Sequence, residues 1–287
     1  MLKKRLVACL LLREGLIVQS FGFNRYLPLG KPKFAVEFLV KWDVDEIVLL
    51  DMSASGRGRR PDTGLLEMLS DYCYVPLTVG GGIKSVDDVR QVIRAGADKV
   101  CVNTHALSTP ELITAIADNF GSQCAVVSMD CRRNAAGGYE VFAEGGRVAT
   151  GLSPMEWAKR SEELGAGEIF LNSIDRDGSR QGYDVELIRS VADAVGIPVI
   201  CCGGVGHMED FAEGFEAGAS AVAAANIFQH MEHSTILAKA HLVASGVDVR
   251  LDSQAKYEAR EFDENGRLTM LSNERLIEID LRKAAVR

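Results

Sequence analysis

Four aspartates stand at or just beyond the ends of short apolar runs: Asp51, Asp130, Asp175 and Asp177. A carboxylate at a strand end can act as a general acid or base. It can equally do no more than cap the loop that follows. Two glycine groups, Gly80-Gly81-Gly82 and Gly203-Gly204, also end apolar runs, and each precedes a stretch that reads as a helix start. Glycine lets backbone N–H groups come close to an anion, and a following helix N-terminus adds a favourable dipole. Asn103-Thr104 and Ala225-Asn226 end two further runs. These loops predict two opposed phosphate sites and a ligand with a phosphate at each end. The competing reading is that the glycines only serve tight turns.

A second constellation lies at the opposite ends of the runs. Arg5, Glu46, Lys99 and Glu168 each start one. Side chains alternate along a strand, so Arg5 shares a face with Val7, Cys9 and Leu11. Likewise Glu46 goes with Val48 and Leu50, Lys99 with Cys101 and Asn103, and Glu168 with Phe170 and Asn172. If these faces point inward, two cations and two anions meet at one end of an apolar interior. Such charges are costly unless paired. They form either a structural plug or a gate across an axial passage.

The elements that position these residues follow from the pattern of the chain. Short Val/Ile-rich runs cover residues 5–11, 46–51, 76–79, 99–102, 124–130, 168–171, 198–202 and 219–224. Each is followed by an amphipathic stretch, which indicates parallel βαβ units. Ser85, Ser108 and Ser153 are placed to cap helices, and the last two are followed closely by Pro110 and Pro154. Eight units suit either a closed (β/α)₈ TIM barrel of the ribulose-phosphate-binding type or a doubly wound open sheet. An internal repeat decides. PLTVGGGIKSVDD aligns with PVICCGGVGHMED at an offset of 122 residues, from Pro76 to Pro198. The same offset relates Glu46 to Glu168 and Asp88 to Asp210. Two four-unit halves make a closed barrel.

The chain of 287 residues carries 32 basic and 40 acidic side chains, a net charge of −8. A general nucleic-acid binder would show the opposite balance. No apolar run approaches the ~20 residues of a membrane span. The basic, apolar N-terminus resembles a signal peptide but runs into Arg13-Glu14-Gly15 without a cleavage site, so it reads as a first strand. The seven cysteines lack CxxC spacing, and reduced, buried thiols in a cytoplasmic protein are expected. No metal site or cofactor is indicated.

The segments LTVGGGIKSVDDVRQVIRAGADKV, ELITAIADNFGSQCAVVSMD, SPMEWAKRSEELGAGEIFLNSIDRDGSRQGYD and IPVICCGGVGHMEDFAEGFEAGASAVAAANIF carry a resemblance. From residue 1 to about 251 the chain resembles HisF, the cyclase subunit of imidazole glycerol phosphate synthase. The resemblance implies a barrel that binds a bis-phosphorylated nucleotide derivative (PRFAR) and pairs as a heterodimer with a HisH-like glutaminase docked on the closed end. It implies ammonia passing along the axis, through a gate formed by Arg5, Glu46, Lys99 and Glu168. The implied phosphate-binding residues are Gly81, Gly82, Asn103, Thr104, Asp177, Gly178, Gly203, Gly204, Ala225 and Asn226.

One departure outweighs the matches. The cyclase carries Pro-Cys-Leu-Asp-Val on its first strand, and that aspartate is one of two catalytic carboxylates. Here the run is Ala8-Cys9-Leu10-Leu11-Leu12, so Leu11 replaces the first carboxylate while Asp130 matches the second. Gln19 replaces the lysine expected on a flexible first loop. A paralogous HisF-like branch, associated with acetamidino modification of surface-polysaccharide sugars, shares Leu-Leu-Leu after strand one and LNSIDRDG after strand six. It implies a role supplying ammonia for an amidino group, together with a glutaminase and an amidotransferase. The alternatives are a genuine cyclase in histidine biosynthesis, with Asp51 sharing the work of Asp130, and a non-catalytic phosphate-ligand-binding barrel. Residues 252–287 form a charged extension outside the barrel of residues 1–251. They are expected to hold a hairpin turning at Asn265-Gly266 and a short helix, as a surface appendage or a docking element.

Overall fold

The computed structural model describes residues 3–56, 59–229 and 233–251. The extension expected over residues 252–287, with its hairpin and helix, lies outside the described residues.

Among the described residues twelve strands run in chain order: β1 Arg5–Arg13, β2 Leu16–Phe21, β3 Arg25–Gly30, β4 Glu46–Asp51, β5 Leu77–Gly80, β6 Lys99–Val102, β7 Ala125–Arg133, β8 Tyr139–Ala143, β9 Val148–Ala149, β10 Glu168–Ser173, β11 Val199–Cys202 and β12 Ala221–Ala224. Eight of them pair in parallel around a closed ring, β1-β4-β5-β6-β7-β10-β11-β12 and back to β1. The β7–β10 pairing belongs to this ring and excludes an open sheet. The helices are α1 Pro32–Lys41, α2 Met52–Gly56, α3 Thr63–Ser70, α4 Val86–Arg94, α5 Thr104–Ser108, α6 Glu111–Phe120, α7 Pro154–Glu163, α8 Val185–Ala192, α9 Asp210–Glu216 and α10 Ser234–Ala244. The fold is a (β/α)₈ barrel. Among the described residues no helix is long and apolar enough to cross a membrane.

Alternation divides each barrel strand between two cores. Leu6, Leu10, Ile47, Leu49, Val100, Val127 and Ile169 pack outward under the helices. Val7, Cys9, Val48, Cys101, Val126, Phe170, Ile200 and Cys202 fill the interior. Burying each large aliphatic side chain contributes roughly 1.5–3 kcal/mol, so a one-residue slip in any strand would reverse both sets at once.

The twofold repeat is written in hydrogen bonds as well as residues. Asp62 accepts from Leu65 N to cap α3, and Asp184 accepts from Leu187 N to cap α8. Asp88 accepts from Lys84 N, and Asp210 accepts from Gly206 N. Both halves also carry a feature absent from the sequence expectation. After β1 the chain turns back as the antiparallel pair β2–β3, and after β7 it turns back as β8–β9. Gln19 therefore lies in β2, paired with Leu27 and buried, rather than on a loop.

Two expected caps differ. Ser108 closes α5, and α6 begins after Pro110 with no side-chain cap. Ser153 does precede α7, with Pro154 in its first turn, but its hydroxyl makes no cap bond.

Candidate functional site

At the N-terminal end of the barrel the four strand-starting charges meet. Arg5 Nη1 donates to Glu46 Oε2 at 2.7 Å and its Nη2 donates to Glu168 Oε1 at 2.6 Å. Lys99 Nζ donates to Glu46 Oε1 at 3.0 Å and to Glu168 Oε2 at 2.8 Å. Thr78 Oγ1 adds a bond to Glu46 Oε1 at 2.9 Å. The result is a closed ring of alternating sign. Its geometry follows from register. Glu46, Lys99 and Glu168 start alternate strands of the ring, and the corresponding place on β12 is Ala221. Alanine leaves a gap, and Arg5, the register partner of Ala221 on β1, fills it. Burial works against the charge of Arg5, but Glu168 and Glu46 outweigh it and raise its pKa.

Above the ring the interior is apolar or weakly polar: Val7, Val126 and Ile200, then Val48, Cys101, Phe170 and Ala223, then Cys9 and Cys202. Burial pushes the Cys101 thiol up to about 12. Cys9 is raised well above its usual range by its contact with Cys202 and by burial. These groups are neutral at pH 7 and place no charge along the axis.

At the C-terminal mouth, Asp130 ends the inward face of β7 and is only 7% exposed. Asn103 Nδ2 donates to its Oδ2 at 2.8 Å, and Asn172 Nδ2 lies 3.5 Å from its Oδ1. Burial raises its pKa to about 6, against the two amide donors. A carboxyl group poised there can exchange a proton near neutral pH.

Register settles what stands opposite. Leu11 pairs with Leu50 on β4, and Asp130 pairs with Asn172 on β10. Leu50 and Asn172 are related by the barrel's twofold repeat, so Leu11 occupies the place equivalent to Asp130. No carboxylate faces Asp130 from β1. The other candidate acids are engaged elsewhere. Asp51 accepts from Ser53 N and Ala54 N and caps α2. Asp175 accepts from Arg133 N and pairs with Arg132, tying β7 to the loop after β10. Asp177 accepts from Ser20 Oγ at 2.6 Å and Phe23 N at 3.0 Å, tying the β2–β3 hairpin to the same loop. The loop 175–178 is thus tied to the β2–β3 hairpin and to the end of β7. Contacts between residues 154 apart in sequence leave no local spacing signal.

The glycine loops lie where the strand order places them, after β5 and β11. A Cβ on Gly81 would come 2.2 Å from Asp51 O, on Gly82 2.4 Å from Arg59 O, on Gly203 2.8 Å from Ser173 O, and on Gly204 2.1 Å from Gly182 O. Backbone crowding alone therefore demands glycine at all four. Gly178, at φ +68°, is held against Ser20 O and Phe21 by the same demand. Asn103 reaches Asp130, Thr104 Oγ1 accepts from Glu144 N, and Asn226 Nδ2 donates to Ser20 O. Ala225 borders the barrel interior. All ten expected phosphate-binding positions fall on the C-terminal rim, and several have structural partners of their own. Among the described residues no three His, Cys, Asp or Glu side chains are grouped to hold a metal ion.

A sequence profile described as "Histidine biosynthesis protein" matches residues 5–234. The chain belongs to the histidine biosynthesis protein family. A protein of Vibrio vulnificus (strain YJ016) named "Putative imidazole glycerol phosphate synthase subunit hisF2" is 49% identical over 269 residues, covering 93% of this chain and 98% of that protein. The chain is thus HisF-like in family as well as fold. The matched length exceeds residues 1–251, so the likeness to this relative runs into the C-terminal extension.

Proposed function

We propose that the chain is a HisF-like synthase subunit that takes ammonia from a HisH-like glutaminase at the N-terminal end and passes it along the barrel axis to the mouth. The ammonia serves a reaction other than imidazole formation: it supplies a nitrogen of an amidino group made on a surface-polysaccharide sugar, together with a separate amidotransferase. The phosphate-ligand site lies on the C-terminal rim. The protein works in the cytoplasm, without a metal or cofactor of its own.

The observation that carries this reading is Leu11 in the place equivalent to Asp130. Acid–base ring closure needs a proton donor and an acceptor on either side of the ring, and leucine is neither. Loss of one such group costs roughly 10²–10⁴-fold in rate. Asp51, the nearest substitute considered, is occupied as a helix cap. The charged ring supports retention of a passage, because a barrel that only bound ligand at its mouth could close its far end with apolar side chains at no greater cost than with buried charge.

The name of the Vibrio relative favours a second reading, a working imidazole glycerol phosphate synthase with Asp130 acting alone. Steady-state turnover of PRFAR with excess ammonium salt separates the two. The proposal expects no useful formation of imidazole glycerol phosphate, and turnover within tenfold of a two-carboxylate cyclase would overturn it.

A further inference from the structure

The two halves of the barrel mouth have opposite chemistry. Asp130, Asn103 and Asn172 form a hydrogen-bonded polar cluster on β7, after β6 and on β10. Their twofold equivalents are Leu11, Ala225 and Leu50. These three are the partly buried apolar residues packed on top of the interior cluster. Leu11 is held in place from both sides, paired with Leu50 on β4 and with Val18 on β2. β1 and β7 are first and fifth of eight strands, so the apolar trio stands across the mouth from the polar one.

We propose that Leu11, Leu50 and Ala225 determine specificity: the ligand turns a hydroxyl-free, apolar face onto them and its polar, reacting group toward Asp130, Asn103 and Asn172. This rests on the reading of the mouth as a phosphate-ligand site. A sugar hydroxyl laid against the leucines gives up water and finds no donor or acceptor, which weakens binding by roughly tenfold. An aryl or alkyl face in the same place removes apolar surface from water, for a gain of about the same factor. The polar trio has the reverse preference. Asn103 Oδ1 is buried without a hydrogen-bond partner, an acceptor left for a donor on the ligand. A molecule polar all round, such as an open hydroxylated chain, fits one half of the mouth and conflicts with the other. A phosphorylated compound with one apolar side satisfies both.

The test uses three probes on the full chain: inorganic phosphate, phenyl phosphate and glycerol 3-phosphate, titrated by calorimetry or by chemical-shift perturbation. The unaltered protein is expected to bind phenyl phosphate about a hundredfold more tightly than glycerol 3-phosphate, the product of the two factors. Leu11→Asp, which installs the residue found at the equivalent place, should bring that ratio to near one. Should that variant fold poorly, Ala225→Asn serves the same purpose, since Asn103 occupies its equivalent position. Equal affinities in the unaltered protein, or a ratio kept in a folded variant, would overturn the proposal. Inorganic phosphate separates the two levels: if it binds while the phenyl preference is absent, only the apolar-face assignment falls. If none of the three binds at millimolar concentration, the phosphate-site reading falls and takes the assignment with it.

Discussion

Replacing Asp130 by asparagine should stabilise the protein, by an amount that grows with pH. The carboxyl is 7% exposed and its pKa rises from the ordinary 3.8 to about 6 through burial. A raised acid binds its proton more tightly folded than unfolded, so between those two pH values the folded state carries more protons and stability falls as pH rises. The penalty is under about 1 kcal/mol at pH 4, about 2 at pH 5 and approaches about 3 kcal/mol at pH 8, an upper value if water reaches the mouth. Asparagine has nearly the same shape. Its carbonyl can still accept from Asn103 Nδ2 in the place of Oδ2, while its amide takes the place of Oδ1, where the Asn172 side chain must turn its oxygen to accept. Paired urea melts of the parent and Asp130→Asn across pH 4–8 measure the difference. A gain that rises with pH and levels off above pH 6–7 is expected, worth a few degrees in Tm at pH 8. A flat difference, or a variant less stable than the parent at pH 8, would refute the assignment of Asp130 as a buried acid.

Two other outcomes follow from the rim. Asp177→Ala removes two of the bonds that anchor the β2–β3 hairpin, those from Ser20 Oγ and Phe23 N, and leaves that from Asn226 to Ser20 O. Amide exchange at Gly22 and Phe23 should accelerate by roughly ten- to a hundredfold, since hydrogen bonds to a charged group are worth ~1.5–3 kcal/mol, while exchange in β4 and β10 stays slow. Crystals soaked in sulfate should show anions at two rim sites, one at Gly82 and Asn103, the other at Gly204 and Asn226. Density at neither would remove the phosphate reading.

The barrel was readable because its signals are periodic. Strand alternation placed Arg5, Glu46, Lys99 and Glu168 on inward faces, and the offset repeat distinguished a closed barrel from an open sheet. The β2–β3 and β8–β9 hairpins escaped because regular βα alternation led to an expectation of helix after every strand. The local signal was present: LIVQSF follows Glu14-Gly15, a turn with φ of 50° and 79°. The roles of Asp175, Asp177 and Asn226 were not readable. Each is set by a partner on a distant segment, and an aspartate that clamps a hairpin looks in sequence like one that meets a substrate. The glycines are ambiguous for a related reason, since backbone crowding and anion binding ask for the same residue.

The charged ring either governs an ammonia passage or only plugs the end of the barrel. Lys99 bridges both glutamates, and Lys99→Ala leaves Glu46, 1% exposed, with only Arg5 and Thr78. Breaking such a buried pair costs about 3–5 kcal/mol, less where water enters at the barrel end. Stability loss alone would fit a plug as well as a gate. The deciding measurement is the ratio of turnover with glutamine to turnover with ammonium salt, in the assembled complex with glutaminase and acceptor enzyme. A gate predicts that Lys99→Ala lowers glutamine-driven turnover while ammonium-driven turnover persists. An unchanged ratio, with the complex still assembled, would contradict the channel and leave the ring as a structural plug.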